Sequence, residues 1–242
     1  MTELPAADGG FGRSARLYDV MYEAKDYGAA AAEIHARIQR LHPGARDLLD
    51  VACGTGRHLE RLQHDYRVEG LDISAELLEQ ARARAPGVPF HEADMTDFSL
   101  GRSFDVVTCL FSAIAYVRTP DMLHRAVAAM ARHLRSPGLL LVEPWFTPET
   151  YWPDHVAANF HDAHDVKLAW MYRHDRRDRL SILDIHYLVG DHNGVEHFVE
   201  RQELGLFTRE EIDGALESAG LEPRDASGLF GRGLHIGVRA SG

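Results

Sequence analysis

Cysteine is scarce in this chain: only Cys53 and Cys109 carry a thiol among 242 residues. Both lie in apolar stretches and lack the C-x-x-C spacing of a zinc site or redox pair, so we expect buried, inert thiols and a reducing, cytoplasmic setting. A chain of this length can bury a core without disulfides or a structural metal. With no H-x-x-x-H pattern or carboxylate cluster, no metal site is predicted.

Basic charge and long apolar runs are also sparse. The 26 Lys and Arg residues against 37 Asp and Glu give a net charge of −11, which disfavours binding to nucleic acids or anionic membranes. The one dense basic stretch, 173–179, is interrupted by two aspartates. No run approaches the roughly 20 apolar residues of a membrane span. We therefore predict neither a nucleic-acid partner nor a membrane partner.

The apolar residues that are present change their period in a regular order. A helical prefix at 13–40 is broken near Tyr27, and strand and helix patterns then alternate. The predicted strands are 48–52, 68–73, 88–92, 104–110 and 139–142, and the helices are 57–64, 75–84 and 121–134. This order predicts a doubly wound, Rossmann-like α/β fold, with a mostly parallel sheet and helices on both faces.

The composition changes between about Pro144 and Glu200, a segment rich in aromatic residues and histidines. Within it, 180–189 and 195–201 alternate like antiparallel strands around a glycine-containing turn. The remaining predictions are a strand at 204–207, a helix at 209–219 and a last strand at 233–238. We therefore expect a Rossmann-like domain of residues 1–144 and 202–242, and a small antiparallel β insert of residues 145–201 that forms a wall of a binding site.

A glycine-rich turn with the sequence DVACGTG spans Asp50 to Gly56, between the first strand and the first helix of the sheet. Glycine allows a ligand to approach the backbone, and the helix start offers free N–H groups, so this turn predicts a nucleotide-like cofactor. A dinucleotide fingerprint requires a glycine where Leu59 stands. Asp50 also brings a negative charge, which suits a cationic ligand.

Two further acids follow predicted strands. Asp72 ends the second strand, where a carboxylate can accept hydrogen bonds from ribose hydroxyls. Asp94 follows the third strand, and Met95 beside it can cover an adenine ring. Each acid also has a purely structural interpretation: Asp50 as a turn cap, Asp72 as a helix N-cap, Asp94 as a surface turn residue. Together they predict a pocket for an adenosine that carries a cation and no phosphate.

These motifs resemble those of the class I S-adenosylmethionine-dependent methyltransferases. The glycine-rich turn resembles their first motif, Asp72 their ribose acid, and residues 92–95 their adenine segment. Ala52 stands where many members have glycine, and we expect this small-for-small change to keep the site. The resemblance implies S-adenosylmethionine as cofactor, bound by Tyr27, Asp50, Ala52, Gly54, Gly56, Arg57, Asp72, Ile73, Asp94, Met95 and Leu110.

A narrower resemblance is to the N,N-dimethyltransferases that act on dTDP-linked 3-amino-deoxysugars in macrolide pathways. It is carried by residues 17–19, 25–27, 111–116, 142–149 and 231–234. The chain departs from that group in a shorter stretch before Lys25, and in Leu229-Phe230 where Pro-Ser is usual. The resemblance implies an N-methyltransferase of antibiotic biosynthesis that acts on a small amino-sugar acceptor.

The activated methyl group needs mainly a well-placed, neutral nucleophile. We expect Tyr116 and Glu143 to act on the acceptor amine, and Tyr22, Trp145 and Arg232 to bind the acceptor, with Arg232 facing a phosphate. Each of these residues can instead be structural. The insert is also a candidate homodimer contact. Two alternatives stay open: methyl transfer to another small acceptor through N, O, S or C, and an NAD-type nucleotide-binding protein.

Overall fold

The computed structural model describes residues 11–226 and 231–240 of the chain. The departure at Leu229-Phe230 therefore lies outside the described residues. The strands are β1 (Asp47–Val51), β2 (Arg67–Asp72), β3 (Phe90–Glu92), β4 (Phe104–Cys109), β5 (Leu134–Val142), β6 (Val156–Asp162), β7 (Lys167–Arg177), β8 (Leu180–Asp191), β9 (Gly194–Gly205), β10 (Glu222–Ala226) and β11 (Leu234–Arg239). The helices are α1 (Tyr18–Met21), α2 (Tyr27–Leu41), α3 (Arg57–Leu62), α4 (Ala75–Arg84), α5 (Pro120–Arg132) and α6 (Arg209–Ser218), and short 3₁₀ helices span Arg13–Leu17 and Ala113–Val117.

Seven strands form the main sheet, in the order β10-β11-β5-β4-β1-β2-β3. The five from β5 to β3 are parallel, whereas β11 runs antiparallel to β5 and to β10. Buried side chains cover both faces, because successive residues of a strand point to opposite sides: Leu49 packs toward α5 and α6, and Leu48 toward α2 and α3. The predicted doubly wound α/β fold is confirmed.

Local capping signals explain where the helices begin. The Ser74 hydroxyl accepts a hydrogen bond from the Leu77 N–H and caps α4, as Thr208 caps α6 through a capping box with Glu211. Asp26 accepts from the Ala29 N–H and starts α2, one residue before the predicted break at Tyr27. The predicted starts of α3, α4, α5 and α6 therefore lie within one residue of the observed starts.

Four strands, β6 to β9, form a separate antiparallel sheet in sequential order. It contains the predicted hairpin, since β8 ends at Asp191 and β9 begins at Gly194. The prediction of a separate strand at 204–207 is wrong, because β9 continues to Gly205 and Leu204 pairs with Ser181 of β8. The prediction also lacks β10, which pairs with β11 at the edge of the main sheet.

The N-terminal prefix lies between the two sheets. Leu17 and Met21 pack on the inner face of the small sheet, against Tyr187 among others. Polar contacts fix it on both sides. The Ser14 N–H donates to Glu200 of β9 at 3.0 Å, and Thr55 of the glycine-rich turn donates to Asp19 at 2.8 Å.

A network of charges closes the opposite end of the main sheet. Asp47, only 3% exposed, accepts hydrogen bonds from Arg67 at 2.7 Å and from Arg135 at 2.6 Å. Burial acts to raise the pKa of Asp47, but these two arginines outweigh it and lower the pKa. Within the described part of the chain, no helix combines the length and apolar character that a membrane crossing requires.

Candidate active site

A cavity of about 420 Å³ lies at the carboxyl ends of the parallel strands, below the prefix and the small sheet. This is where doubly wound sheets bind ligands, because the loops that follow the strands meet there. Predicted site residues from both parts of the chain line this cavity: Tyr22, Ala52, Gly54, Asp72, Ile73, Met95, Leu110, Tyr116, Trp145 and Arg232.

The glycine-rich turn has a left-handed backbone at three positions. Ala52, Gly54 and Gly56 have φ angles of 58°, 56° and 75°. For alanine this conformation costs about 1–2 kcal/mol, whereas glycine adopts it freely. The change from glycine to Ala52 therefore keeps the shape of the turn, but it is not conformationally neutral. Gly56 does not line the cavity and instead provides the N-cap of α3.

Asp72 connects the glycine-rich turn to the end of β2. Its Oδ2 accepts from the Gly54 N–H at 2.8 Å and its Oδ1 from the Ser74 N–H at 2.9 Å. Burial raises the pKa of Asp72, and these backbone hydrogen bonds oppose the increase. A carboxylate has about four acceptor positions, so Asp72 keeps acceptor capacity for a ligand in the cavity that it lines. Ile73 beside it is 60% exposed, an apolar surface at the cavity wall.

Asp50 lies behind the cavity wall. It is 1% exposed, and its Oδ1 accepts from the Thr108 hydroxyl at 2.7 Å. Burial, together with the charge of Asp72, raises the pKa of Asp50 to about 7, although the Thr108 hydrogen bond lowers it. Asp50 therefore changes charge near neutral pH, below the glycine-rich turn.

Asp94 is exposed and does not line the cavity, whereas its neighbour Met95 does. The Asp94 Oδ1 accepts from both the N–H and the hydroxyl of Thr96, each at 2.8 Å. The turn role that was the alternative interpretation is therefore present, and the adenine role of Asp94 stays a prediction.

A second, narrow cavity of about 20 Å³ adjoins the first, and Tyr27 and Arg57 line it together with His58. Tyr27 Oη, Arg57 Nε and His58 Nε2 are buried without a hydrogen-bond partner among the described residues. Burial lowers the pKa of His58 to about 3, so its ring is neutral. Because buried polar groups normally have partners, this group of atoms indicates a place for a polar ligand.

Arg232 faces the large cavity from the other side. Its guanidinium carbon lies 4.9 Å from the Trp145 ring and 5.0 Å from the Phe146 ring. One nitrogen donates to the Ser112 hydroxyl at 3.3 Å, and within the described residues its buried Nε has no partner. A cation held between two rings, with an unused donor, is suited to bind an anion.

Glu143 does not line the cavity, although we predicted that it acts on the acceptor. It is 3% exposed, and its Oε2 accepts from the Phe111 N–H at 2.6 Å. Phe111 and Ser112 have φ angles of 54° and 62°. Burial raises the pKa of Glu143, while Lys25 and the Phe111 N–H lower it. The geometry makes Glu143 a support for a strained turn of the cavity wall.

Tyr116 reaches the cavity from the 3₁₀ helix that follows this turn. Burial, with a smaller effect from Tyr22, raises the pKa of Tyr116 well above its ordinary value. The phenol therefore stays protonated at neutral pH. It can orient a neighbouring group by hydrogen bonding, but it is too weak an acid to supply a phenolate base.

Several lining residues were not singled out for the site by the sequence analysis. Phe11 and Tyr18 come from the prefix, and Tyr172 and Gln202 come from the inner face of the small sheet. Gln202 Nε2 is buried without a partner in the described part of the chain. Their alternation along β7 and β9 indicates which face of the small sheet they share, but not that this face turns toward the glycine-rich turn.

The two cavities adjoin, and their linings offer different chemistry to a ligand. Asp72 and the apolar Ile73 and Met95 suit a nucleoside, and the unpartnered polar atoms at the narrow cavity suit a small polar group at one end of the same ligand. The space between Tyr116 and Arg232 suits an acceptor with an anionic group. No three His, Cys, Asp or Glu side chains within 11–226 and 231–240 are grouped to hold a metal ion.

Comparison with known proteins shows which family has a similar sequence. Residues 48–138 match the model of a methyltransferase domain. The chain is 40% identical to the dTDP-3-amino-3,6-dideoxy-alpha-D-glucopyranose N,N-dimethyltransferase of Streptomyces fradiae, over 94% of this chain and 91% of that protein. It is 38% identical to the dTDP-4-amino-2,3,4,6-tetradeoxy-D-glucose N,N-dimethyltransferase of Saccharopolyspora spinosa, over 93% and 92%.

A solved structure shows the same architecture. It is S-adenosylmethionine-bound CalS10, an amino pentose methyltransferase of calicheamicin biosynthesis from Micromonospora echinaspora. The TM-score is 0.84 at 38% identity, with 96% of this chain and 98% of that chain covered. The similarity therefore includes the small sheet as well as the Rossmann-like part.

Proposed function

Because the chain belongs to the family of dTDP-amino-sugar N,N-dimethyltransferases, and is thus an S-adenosylmethionine-dependent N-methyltransferase, we propose that it methylates the amine of a nucleotide-linked amino sugar. The observation that carries the choice of acceptor is Arg232, whose buried Nε has no partner among the described residues. A diphosphate between nucleoside and sugar would supply the hydrogen-bond acceptor that this nitrogen lacks.

The residues around the two cavities fit the cofactor. Asp72 would hold the ribose, Ile73 and Met95 would cover the adenine, and Tyr27 and Arg57 would hold the methionyl carboxylate. Their unpartnered buried atoms support this assignment. The bound cofactor supplies a methyl group that is already activated, so the protein needs to position the acceptor and exclude water.

On the acceptor side, we assign the insert of residues 145–201, with Gln202 beside it, as the wall that encloses the sugar nucleotide. Trp145 is fixed by a 3.0 Å hydrogen bond from its Nε1 to the Ser181 hydroxyl, and Tyr22 faces the same space. The amine must be neutral to attack, and it loses its proton to solvent before binding. Tyr116 then orients it by a hydrogen bond, and Glu143 acts indirectly, by holding the turn at Phe111.

An acceptor panel tests the proposal. The protein is incubated with S-adenosylmethionine and with dTDP-linked 3-amino and 4-amino deoxysugars, the matching free amino sugars, and dTDP-glucose as a control without an amine. We expect S-adenosylhomocysteine to form with at least one dTDP-linked aminosugar, and mass spectrometry to show the added methyl groups. Turnover of the free sugar equal to that of its nucleotide would remove the role of the diphosphate. Inactivity on every aminosugar nucleotide would reject the proposed acceptor.

Replacement of Tyr116 by phenylalanine should lower kcat about tenfold, within the range of one hydrogen-bonding group acting on the acceptor. S-adenosylmethionine affinity should change less than twofold, because the phenol would face the amine and not the cofactor. Steady-state kinetics and calorimetry on the same preparation check both values. A variant as fast as the wild type would show that the Tyr116 hydroxyl is only a packing group.

We also propose that two copies of the chain associate through the outer face of the small sheet. Large apolar side chains are exposed there: Phe160 at 68%, Met171 at 53% and Leu188 at 49%. Phe160 of β6 and Leu188 of β8 both pair with Ala169 of β7, and Met171 lies two residues further along β7, on the same face. Charged side chains of both signs lie on the same sheet, such as Arg201 paired with Asp184. An exposed apolar patch near charges of both signs is suited to a contact between two identical surfaces.

The double variant Met171→Asp, Leu188→Asp tests this contact. It should be monomeric by light scattering after size exclusion, whereas the wild-type chain should have twice the monomer mass. Leu41→Asp is the matched control, because Leu41 is also an exposed apolar residue but lies on α2, at 37% exposure. A wild-type chain that is monomeric at all concentrations would reject the proposed dimer.

A further inference from the structure

The large and the narrow cavities meet at one boundary. Four residues line both: Tyr18, Ala52, Leu110 and Phe111. Three of these side chains are hydrocarbon only. Tyr18 alone brings a polar side-chain group, its hydroxyl, to the boundary.

The position of this boundary matters because of what lies on each side. Asp72 lines only the large cavity, and Arg57 lines only the narrow one. A ligand with its ribose at Asp72 and its amino-acid group at Arg57 must cross the boundary that these four residues line. In the proposed cofactor the sulfonium lies between those two ends, so the reacting centre falls at the boundary. This step rests on the proposed function.

Tyr18 is held in place by its surroundings. Its ring contacts Phe11 and Tyr22, each with a centroid distance of 4.9 Å. The next residue, Asp19, is bound by Thr55 at 2.8 Å and by Arg84. The prefix therefore fixes the Tyr18 ring over the glycine-rich turn.

The hydroxyl of Tyr18, in contrast, is unused. It forms no hydrogen bond with any residue of 11–226 or 231–240, and it lies 3.8 Å from the point that a Cβ on Gly54 would occupy. Burial, followed by the nearby Tyr22 and Tyr27, raises the pKa of Tyr18 well above its ordinary value, so the phenol is neutral. Its oxygen thus keeps lone pairs that are available to a ligand at the boundary.

We propose that Tyr18 is a further catalytic residue, whose hydroxyl oxygen contacts the transferable methyl group and holds it in line with the acceptor. Methyl C–H groups beside a positive sulfur are polarised and form weak hydrogen bonds to oxygen. In the transfer, the acceptor nitrogen lone pair forms the N–C bond, the electron pair of the broken C–S bond stays on sulfur, and solvent takes the ammonium proton. Tyr18 keeps its own proton throughout.

This contact distinguishes the cofactor from its product, because S-adenosylhomocysteine lacks both the methyl group and the positive charge. Calorimetry on the full chain gives Kd for both compounds. Tyr18→Phe, which retains the ring contacts, should weaken S-adenosylmethionine about two- to fivefold and leave S-adenosylhomocysteine within twofold. kcat should also fall several-fold. Tyr22→Phe, on the same segment but lining only the large cavity, should leave the ratio of the two affinities unchanged.

The outcomes separate the two proposals. If the wild-type chain binds S-adenosylmethionine and Tyr18→Phe keeps the wild-type affinity ratio, the role of Tyr18 is wrong while the proposed function stands. If the wild-type chain binds neither compound, the proposed function fails first. Thermal melting of each variant verifies that the proteins compared are folded.

Discussion

Replacement of Asp72 by alanine is expected to weaken S-adenosylmethionine binding by about 10- to 100-fold, the effect of losing partners of a charge-assisted hydrogen bond. The variant loses two things at once. It removes the proposed acceptor for the ribose hydroxyls, and it frees the Gly54 and Ser74 N–H groups that Asp72 now binds. Calorimetric titration measures the change directly.

The matched variants separate these effects. Asp72→Asn keeps one acceptor oxygen and the shape of the side chain, so its loss should be smaller than that of Asp72→Ala. S-adenosylhomocysteine should weaken as much as S-adenosylmethionine, because both contain the ribose. Asp97→Asn removes an exposed carboxylate outside the cavity lining and should bind normally. An Asp72→Ala protein with wild-type affinity would contradict the ribose role.

Affinity for S-adenosylmethionine should increase with pH, by up to about 100-fold between pH 5 and pH 8. The cause is Asp50. Burial raises the pKa of this carboxyl to about 7 in the protein without cofactor. Below pH 7 this carboxyl is protonated and neutral. A bound cation favours the ionised form, so binding at low pH must include the cost of removing the proton. Calorimetry across this pH range measures the slope.

The stability of the folded protein should depend on pH in the opposite direction to the cofactor affinity. A carboxyl with a raised folded-state pKa binds its proton more tightly in the folded protein, so it contributes stability at low pH that is lost as pH rises through about 7. Asp50→Asn should flatten both dependences, and it keeps an acceptor for the Thr108 hydroxyl. His58 does not compete as the cause, since its pKa is lowered to about 3. An unchanged slope in Asp50→Asn would assign the titration to another group.

The order of strands and helices was predictable because it depends on local signals. Apolar periodicity, the cap at Ser74 and the glycines of the turn at Asp50 to Gly56 are all short-range features. They predict the parallel sheet and the loops at its carboxyl end. It was harder to predict which sheet a strand joins. Residues 204–207 have a strand-like pattern, but the pairing of Leu204 with Ser181 assigns Leu204 to the small sheet.

The positions of some site residues were likewise predictable from local signals, whereas the position of Glu143 was not. Asp72, Ile73, Met95 and Leu110 all lie at or within three residues of the carboxyl end of a strand, so the topology alone brings them to one cavity. Glu143 also follows a strand, yet its carboxylate turns to the Phe111 N–H behind the wall. The sequence does not show that turn, because it depends on the left-handed backbone at Phe111.

The α/β fold, the position of the glycine-rich turn and the family could be inferred from the amino-acid sequence, since they follow from residues close together in the chain. Two properties of the site required the folded chain: the prefix brings Tyr18 to the boundary of the two cavities, and Asp50 is buried and has a raised pKa. Those properties come from contacts between distant segments, such as Ser14 with Glu200 and Thr55 with Asp19. The burial of Asp50 and the contacts of the prefix form only after these distant segments have packed together.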